Sequence, residues 1–168
     1  MINPKLEKAI NEQINAELYS AYLYLSMSAY LESLNLPGFA TWMRVQFEEE
    51  QFHAMRFFTY LNDRGGRVVL EAIEKPQFEW NNVIEVFEKT LEHEIHVTNL
   101  LNNIADIAEA ERDRPTKNLM IWFIDEQVEE ESTAEKIINE LKMINGEGHG
   151  MLMLDRELGA RVFTPPVV

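Results

Sequence analysis

The sequence predicts an all-α protein, with four long helices in a bundle, one long crossover loop and a short fifth helix. Two observations indicate this fold class. Apolar residues recur at intervals of three and four along four long stretches, as in helices with one buried face. The 168-residue chain has only seven Gly and six Pro, which argues against a turn-rich β fold. We expect one domain over residues 1–168, long enough to bury a sizeable core.

The start signals agree with the apolar periodicity. Asn3 can cap the first helix, with Pro4 in its first turn. Asn82 to Glu85 has the form of a capping box for the third helix, with Asn in place of Ser or Thr. The break between the first two helices is short, so they should be antiparallel neighbours. The predicted helices cover about residues 4–33, 37–64, 82–111, 114–144 and 148–160.

Residues 65–81 form the predicted crossover loop, because they show no helical pattern. A segment of this length without secondary structure is unusual inside a compact domain. At about 3.3 Å per extended residue it could span roughly 55 Å, whereas the preceding helix is only about 40 Å long at 1.5 Å per residue. The loop can therefore run the length of the bundle and restart the chain at the opposite end.

Composition excludes several functions. The formal net charge of −14 argues against nucleic acid as a direct partner, because phosphate backbones require Lys and Arg. The chain has no Cys, which excludes disulfides, thiolate zinc sites, iron–sulfur clusters and cysteine nucleophiles. No signal peptide and no run of about 18 apolar residues is visible. We expect a cytoplasmic protein without a membrane span.

Polar side chains interrupt the apolar stripe near the middle of each long helix. Residues three apart on a helix share a face, so Glu50 and His53 can reach one point in space. The midpoints of bundled helices meet at one level whichever way each helix runs. We therefore expect six ligand-type side chains to converge: Glu17, Glu50, His53, Glu94, Gln127 and Glu130.

Charge balance favours a metal at this level. A single Glu in a core stripe is more often paired or reaching solvent than a ligand. Four buried carboxylates repel one another, so either they take up protons or cations neutralise them. The helix stripes offer no Lys or Arg at this level. Two divalent cations would balance the charge, and oxygen donors with one imidazole favour iron or manganese, although zinc also fits. So few ligands leave coordination positions open for chemistry.

Taken together, Glu50-x-x-His53 and Gln127-x-x-Glu130 with Glu17 and Glu94 closely resemble the ferroxidase centre of ferritins. The resemblance covers nearly the whole chain and is to prokaryotic non-haem ferritins, in the ferritin-like di-iron carboxylate family. It implies a ferritin-like bundle and two irons. The first iron is held by Glu17, Glu50 and His53, with Glu50 as the bridge, and the second by Glu94 with Glu130. Gln127 lies beside the second iron and orients water or dioxygen.

The resemblance also implies further roles outside this pair. It places a third iron at Glu49, Glu126 and Glu129, with Glu130 shared. A solvated acidic face remains the alternative for the first three. It makes Tyr24 a hydrogen-bond partner and candidate electron donor, the alternative being a core Tyr with a satisfied hydroxyl.

Other aromatic and imidazole side chains have weaker assignments. Trp122 is near enough to donate an electron, but a core aromatic is the favoured interpretation. His93 and His96 flank Glu94 and are interpreted as surface residues, and His149 has no assigned role.

Two departures separate this chain from related families. Bacterioferritins, rubrerythrins and ribonucleotide reductase radical subunits carry a second Glu-x-x-His where this chain has Gln127-x-x-Glu130. Bacterioferritins place their haem-ligating Met where this chain has Gln51. No haem is therefore expected.

The implied function is iron storage, with Fe(II) oxidised by O2 or H2O2 and ferric mineral deposited inside a shell of usually 24 subunits. A second apolar side of the first helix, at Leu18, Tyr22, Leu25 and Ala29, favours such a subunit contact. One alternative is a non-storing di-iron oxidase or peroxidase that forms no cage. A DNA-binding miniferritin is a weaker alternative, because binding DNA fits poorly with the charge of −14.

Overall fold

Five α-helices form the secondary structure of residues 2–166, the part of the chain that the computed structural model describes. The all-α prediction is confirmed, and the helix ends differ from the predicted ones by no more than two residues. The helices are α1 (Pro4–Ser33), α2 (Pro37–Asp63), α3 (Val83–Ala110), α4 (Arg114–Met143) and α5 (Gly148–Leu158).

Side-chain caps begin three of the four long helices. Asn3 accepts from the Lys5 amide at the start of α1, and Asp113 caps α4. Asn82 accepts from the Glu85 amide, as predicted. The returning bond of the capping box is different: the Glu85 carboxylate accepts from the backbone and side chain of Asn81, not from the Asn82 amide.

The crossover runs alongside α1 over most of its length. Side chains of α1 hold its backbone: Asn11 bonds to Arg67 and Val69, Asn15 to Glu71 and Ala72, Ser26 to Gln77, and Tyr30 to Trp80. Residue numbers in the crossover increase together with those of their partners in α1, so the two segments run in the same direction. The crossover therefore begins at the end where α2 finishes and delivers α3 to the opposite end, as the length estimate predicted.

The core consists of two apolar clusters, one towards each end of the bundle. One cluster contains Met27, Phe39, Phe87 and Leu141, and the other contains Ile10, Phe57, Leu101 and Phe123. Each draws on all four long helices. The predicted polar positions fall between the clusters in every helix, so they share one level, as the sequence predicted.

The fifth helix packs against the start of α2, whose N-cap residue makes no side-chain bond. Asp155 of α5 supplies the missing cap, because its Oδ1 accepts from the amides of Gly38 at 2.9 Å and Phe39 at 3.0 Å. The helices approach so closely that a Cβ atom on Gly38 would lie 1.6 Å from the Asp155 carbonyl oxygen. The last helix thus completes the second.

The predicted second apolar side of α1 is partly exposed in the single chain. Tyr22 is 50% exposed and Leu25 is 39% exposed, whereas Leu18 packs partly against the core. Exposed apolar residues also lie on the crossover, at Leu70 and Phe78. None of the helices in residues 2–166 is both long and apolar enough to cross a membrane.

Candidate metal centre

The first half of the centre lies between α1 and α2. The ligand atoms of Glu17, Glu50 and His53 all lie within 4.8 Å of one another, and within residues 2–166 no other three His, Asp or Glu residues meet this distance. The exposed fractions of the three residues are 1%, 2% and 4%. Nδ1 of His53 lies 3.4 Å from Oε2 of Glu50. Spacing of three residues on α2 places the imidazole and the carboxylate side by side.

The second half lies between α3 and α4. Glu94 and Glu130 are buried, and Gln127 donates from Nε2 to Oε2 of Glu94 at 3.0 Å. A groove of about 530 Å³ between the two helices is lined in part by Gln127. Charges on Glu94 and Glu130 act on Glu50, which links the two halves. Glu94 and Glu130 do not join the 4.8 Å group of the first half.

Tyr24 is fully buried one turn beyond Ser20 on α1, and its hydroxyl donates to Oε1 of Glu94. Burial first, and then the charge of Glu94, raises the pKa of Tyr24 well above its ordinary value. The phenol therefore remains a donor to the carboxylate. The predicted hydrogen-bonding role agrees with this contact, and the electron-donor role stays a prediction.

Burial and mutual repulsion raise the pKa of every carboxyl group in the centre. The pKa values of Glu17 and Glu50 lie well above the ordinary range, from burial first and then from the charges of Glu50 and Glu94 respectively. Burial, then Glu130, raises the pKa of Glu94 to about 7, and burial, then Glu49, raises the pKa of Glu130 to about 7.

Two carboxylate oxygens in the centre are unsatisfied as hydrogen-bond acceptors. Oε2 of Glu17 and Oε2 of Glu50 are buried and make no hydrogen bond. A buried acceptor without a partner is destabilising by about 1–3 kcal/mol, more when it is charged. The donor set of carboxylates and one imidazole, with these two free oxygens, fits a divalent metal such as iron.

Besides Gln127, two glutamine side chains orient carboxylates of the centre, and sequence reasoning missed both. Gln13 donates to Oε1 of Glu17 at 2.9 Å, and Gln46 donates to Oε2 of Glu130 at 2.9 Å. Each amide holds one oxygen and leaves the other available. The spacing of four residues between Gln13 and Glu17 was a signal that could have identified the first of these pairs.

A basic side chain does reach this level, from outside the helix stripes. Arg161, beyond α5, donates to Oε1 of Gln46 and, from Nη2, to Oε2 of Glu49 at 2.6 Å. The prediction that the helix stripes carry no Lys or Arg at this level concerns the helices, and Arg161 lies outside them. No periodicity covers residue 161, so this contact could not be predicted from the sequence.

The predicted third-iron residues lie at the edge of the bundle. Glu49 and Glu126 are half-buried and Glu129 is exposed. Burial raises the pKa of Glu49 against the opposing charge of Arg161, and burial also raises the pKa of Glu126. The three carboxylates do not form a group within 4.8 Å of one another. Their role as iron ligands stays a prediction.

His93 is not the surface residue that the sequence suggested. It is half-buried between α1 and α3, and its Nε2 lies 2.7 Å from the hydroxyl of Ser20. Burial, with the nearby His96, lowers the pKa of His93 to about 4. His93 lies off the apolar stripe of α3, but Ser20 of the neighbouring helix α1 contacts it, which the pattern of α3 alone does not reveal. His96 and His149 are exposed, as expected for the former.

Trp122 packs directly against His53 of the centre. Its ring meets the His53 ring edge-on, with centroids 5.4 Å apart, and the Arg56 guanidinium lies 3.8 Å from the Trp122 centroid. The indole therefore forms one wall of the imidazole site.

These features define a class: a four-helix bundle whose interior carries a buried layer of carboxylates and one histidine, contributed by all four long helices. The ferritin-like domain family matches residues 7–144. Among curated relatives, a bacterial non-haem ferritin of Bacteroides fragilis is 44% identical over 96% of this chain and 100% of its own length. One of Staphylococcus aureus is 36% identical over 97% of this chain and 98% of its own.

Solved structures agree with these sequence relatives. A closed form of the Archaeoglobus fulgidus ferritin, engineered by site-directed mutagenesis, superposes with a TM-score of 0.96 at 46% identity, covering 98% of this chain and 100% of that one. The open-pore ferritin of the same archaeon gives a TM-score of 0.94, covering 96% and 100%. The chain belongs to the ferritin family, and the predicted resemblance is confirmed.

Proposed function

We propose that this ferritin stores iron and oxidises Fe(II) with O2 or H2O2 at a di-iron centre within each subunit. The observation that carries the proposal is the buried cluster between the two apolar halves of the core. It contains carboxyl groups from all four long helices, and two of their oxygens make no hydrogen bond. A cluster of this kind is destabilising unless protons or cations occupy it.

Each side chain has a distinct task in this proposal. Glu17, Glu50 and His53 bind the first Fe(II), with His53 neutral at its coordinating nitrogen, and Glu50 bridges to the second. Glu94 and Glu130 bind the second Fe(II). The Tyr24 and Gln127 bonds to Glu94 and the Gln46 bond to Glu130 hold these carboxylates in place.

The reaction needs one two-electron oxidant for two metal ions. Two Fe(II) and O2 with two protons give two Fe(III) and H2O2. One H2O2 with two further protons and two further Fe(II) gives two waters and two more Fe(III). The groove beside Gln127 supports a path by which the oxidant or water reaches the second iron. Ferric product then leaves for the mineral, and Glu49, Glu126 and Glu129 are proposed to bind a third iron on this route.

We further propose a cytoplasmic shell of many copies, with 24 as the expected number and mineral inside. Tyr22 and Leu25 on α1, and Leu70, Ile73 and Phe78 on the crossover, are exposed in the single chain. The crossover lies against α1, so these apolar side chains are carried by adjoining elements. Exposed apolar surface of this kind supports burial against another copy.

Glu50→Ala with His53→Ala tests the proposed centre. The doubly substituted protein should lose rapid aerobic Fe(II) oxidation, measured by ferric absorbance after mixing. Glu48→Ala with Gln51→Ala is the matched control, because both residues are exposed on the same helix at the same spacing. An unchanged rate in the first variant would mean that the centre is wrongly assigned.

The alternative of a non-storing di-iron oxidase or peroxidase makes a different prediction for size. Size-exclusion chromatography after aerobic iron loading should give a large assembly whose protein and iron elute together. A dimer that oxidises iron but retains no core would support the alternative.

A further inference from the structure

The chain beyond α5 returns to the edge of the metal centre and places a cation there. The Arg161 guanidinium bonds to Gln46 and Glu49, and lies 4.7 Å from the centroid of the Trp42 ring. Phe163 packs on Phe52 with ring centroids 6.2 Å apart. Side chains of residues 161 and 163 thus hold this segment against α2.

The Arg161 contact is too enclosed to be an ordinary surface ion pair. The side chains of Arg161 and Glu49 are only 26% and 23% exposed. Solvent screens such a pair less than a fully exposed one, and charge-assisted bonds from a guanidinium are among the stronger hydrogen bonds. The same guanidinium holds the Gln46 amide that donates to Glu130.

We propose that Arg161 is a built-in cation that competes with a third metal ion for Glu49. The inference rests on the proposed function, since the third metal is part of it. In the described conformation, Arg161 donates to Oε2 of Glu49 and adds positive charge that repels a divalent cation. The guanidinium and a metal ion therefore compete for the Glu49 carboxylate.

Withdrawal requires only a side-chain movement. The anchor at Phe163 can stay in place while the flexible stem of Arg161 changes rotamer away from α2. Once it leaves, Gln46 loses the bond to its Oε1 but keeps its own donation to Glu130, so the ligand shared with the second iron stays in place.

The competing interpretation is that Arg161 only fastens the C-terminal segment to α2. The two interpretations differ in metal stoichiometry. If Arg161 only attaches the segment to α2, its removal changes the stability of the segment. If Arg161 competes with metal, its removal changes the affinity for one metal equivalent. Co(II) is a suitable probe, because its binding under anaerobic conditions is followed by calorimetry and by visible absorption, without oxidation.

The test compares Arg161→Gln with the intact protein. The intact protein should bind two tight Co(II) equivalents per subunit and a weaker third. Arg161→Gln should tighten the third by at least about tenfold while leaving the first two unchanged, because removal of a bound competitor raises apparent affinity. Arg156→Gln is the control, since it makes the same charge change at an exposed residue.

Two further variants make the result decisive. Arg161→Met keeps an unbranched apolar side chain over Trp42, so it should bind like Arg161→Gln even if the glutamine variant loosens the segment. Adding Glu49→Gln to Arg161→Gln should abolish the gain. An unchanged third equivalent in both Arg161 variants overturns the inference while leaving the proposed di-iron centre intact. An intact protein that binds no tight Co(II) pair overturns the proposed function and the inference together.

Discussion

Two neighbouring sets of carboxylates in this chain differ in how their charge is balanced. The interior set around Glu17 and Glu50 is almost completely buried and contains oxygens without partners. The edge set around Glu49 is partly exposed and already contains a cation, Arg161. Glu49 and Glu50 are adjacent in sequence, yet Glu50 faces the interior and Glu49 lies at the edge.

The difference shows that proximity of carboxylates does not by itself define a metal site. The interior set lacks sufficient positive charge from the protein, so protons or metal ions must supply it. The edge set can exist in a stable state without metal, because Arg161 pairs with Glu49. We therefore expect strong metal binding in the interior and conditional binding at the edge.

The largest expected effect comes from the same substitution at these two adjacent residues. Glu50→Gln removes the proposed bridging carboxylate and should lower affinity for the first two Co(II) equivalents by about 100-fold or more, since loss of one charged ligand costs several kcal/mol. Glu49→Gln should change those two equivalents by less than about tenfold. Anaerobic calorimetric titration measures both. Equal losses would contradict the separation of interior and edge.

The pH dependence of metal binding should be steep for the interior set. Burial raises the pKa of Glu94 and Glu130 to about 7, with added repulsion from Glu130 and Glu49 respectively. Below pH 7 each group holds a proton that a metal must displace, which reduces affinity by about tenfold per pH unit for each proton. Co(II) titrations at pH 8, 7 and 6 should show at least this decline below pH 7, and a flat profile would contradict it.

The metal-free protein should respond to pH in the opposite direction. The pKa values of Glu94 and Glu130 are higher in the folded than in the unfolded state, so between about pH 7 and 4.5 the folded state binds more protons. Their contribution to the free energy of unfolding therefore increases as pH falls. His93 acts in opposition, because its folded pKa is about 4. Thermal melts with and without Co(II) at pH 8 and 5.5 measure how much the bound metal stabilises the fold. This stabilisation should be smaller at pH 5.5.

A smaller effect is expected on the stability of the metal-free protein at pH 8. Glu17→Gln replaces a buried carboxyl group, one of whose oxygens has no partner, with an uncharged amide. It should raise the free energy of unfolding by about 2 kcal/mol, because uncompensated buried charge is destabilising. Denaturant melts measure the change, with Glu12→Gln on the exposed side of α1 as the control. A destabilised apo variant would mean that the interior set is already balanced without metal.

The smallest effect concerns the segment that positions Arg161. Asp155→Ala removes the cap of α2 and should lower the free energy of unfolding by about 1 kcal/mol. Because α5 leads into this segment, the variant should alter the third Co(II) equivalent and leave the first two unchanged. Glu157→Ala, at an exposed residue of the same helix, provides the comparison. Altered binding of the first pair would show that α5 supports the interior set directly.

Much of the fold could be predicted from the sequence because helix periodicity and the bundle level are local properties. The stripes placed Glu17, Glu94 and Glu130 at one level, and the structure places them in one polar layer. Whether they bind metal stays a prediction. The stripes could not assign Gln46 a role, because a buried amide in a core face has no partner until the neighbouring helix is placed beside it.

Contacts that join distant segments were the ones that sequence reasoning could not reach. Arg161 follows the last helix, where no period fixes the direction of a side chain. The bond from His93 to Ser20 required knowing which side of α1 faces α3. The Glu85 carboxylate accepts hydrogen bonds from Asn81 and not from Asn82, because the turn before α3 directs both the backbone and the side-chain N–H groups of Asn81 towards it.

The Asp155 cap has a consequence for how the protein is made. Its carboxylate completes the first turn of α2 across a separation of 117 residues. A nascent chain therefore carries α2, with Glu50 and His53, for most of its synthesis without that cap. The helix with most of the proposed first-iron ligands reaches its final form only when the last helix has left the ribosome. Premature termination before residue 155 would thus leave a bundle whose ligand helix is unfinished at its start.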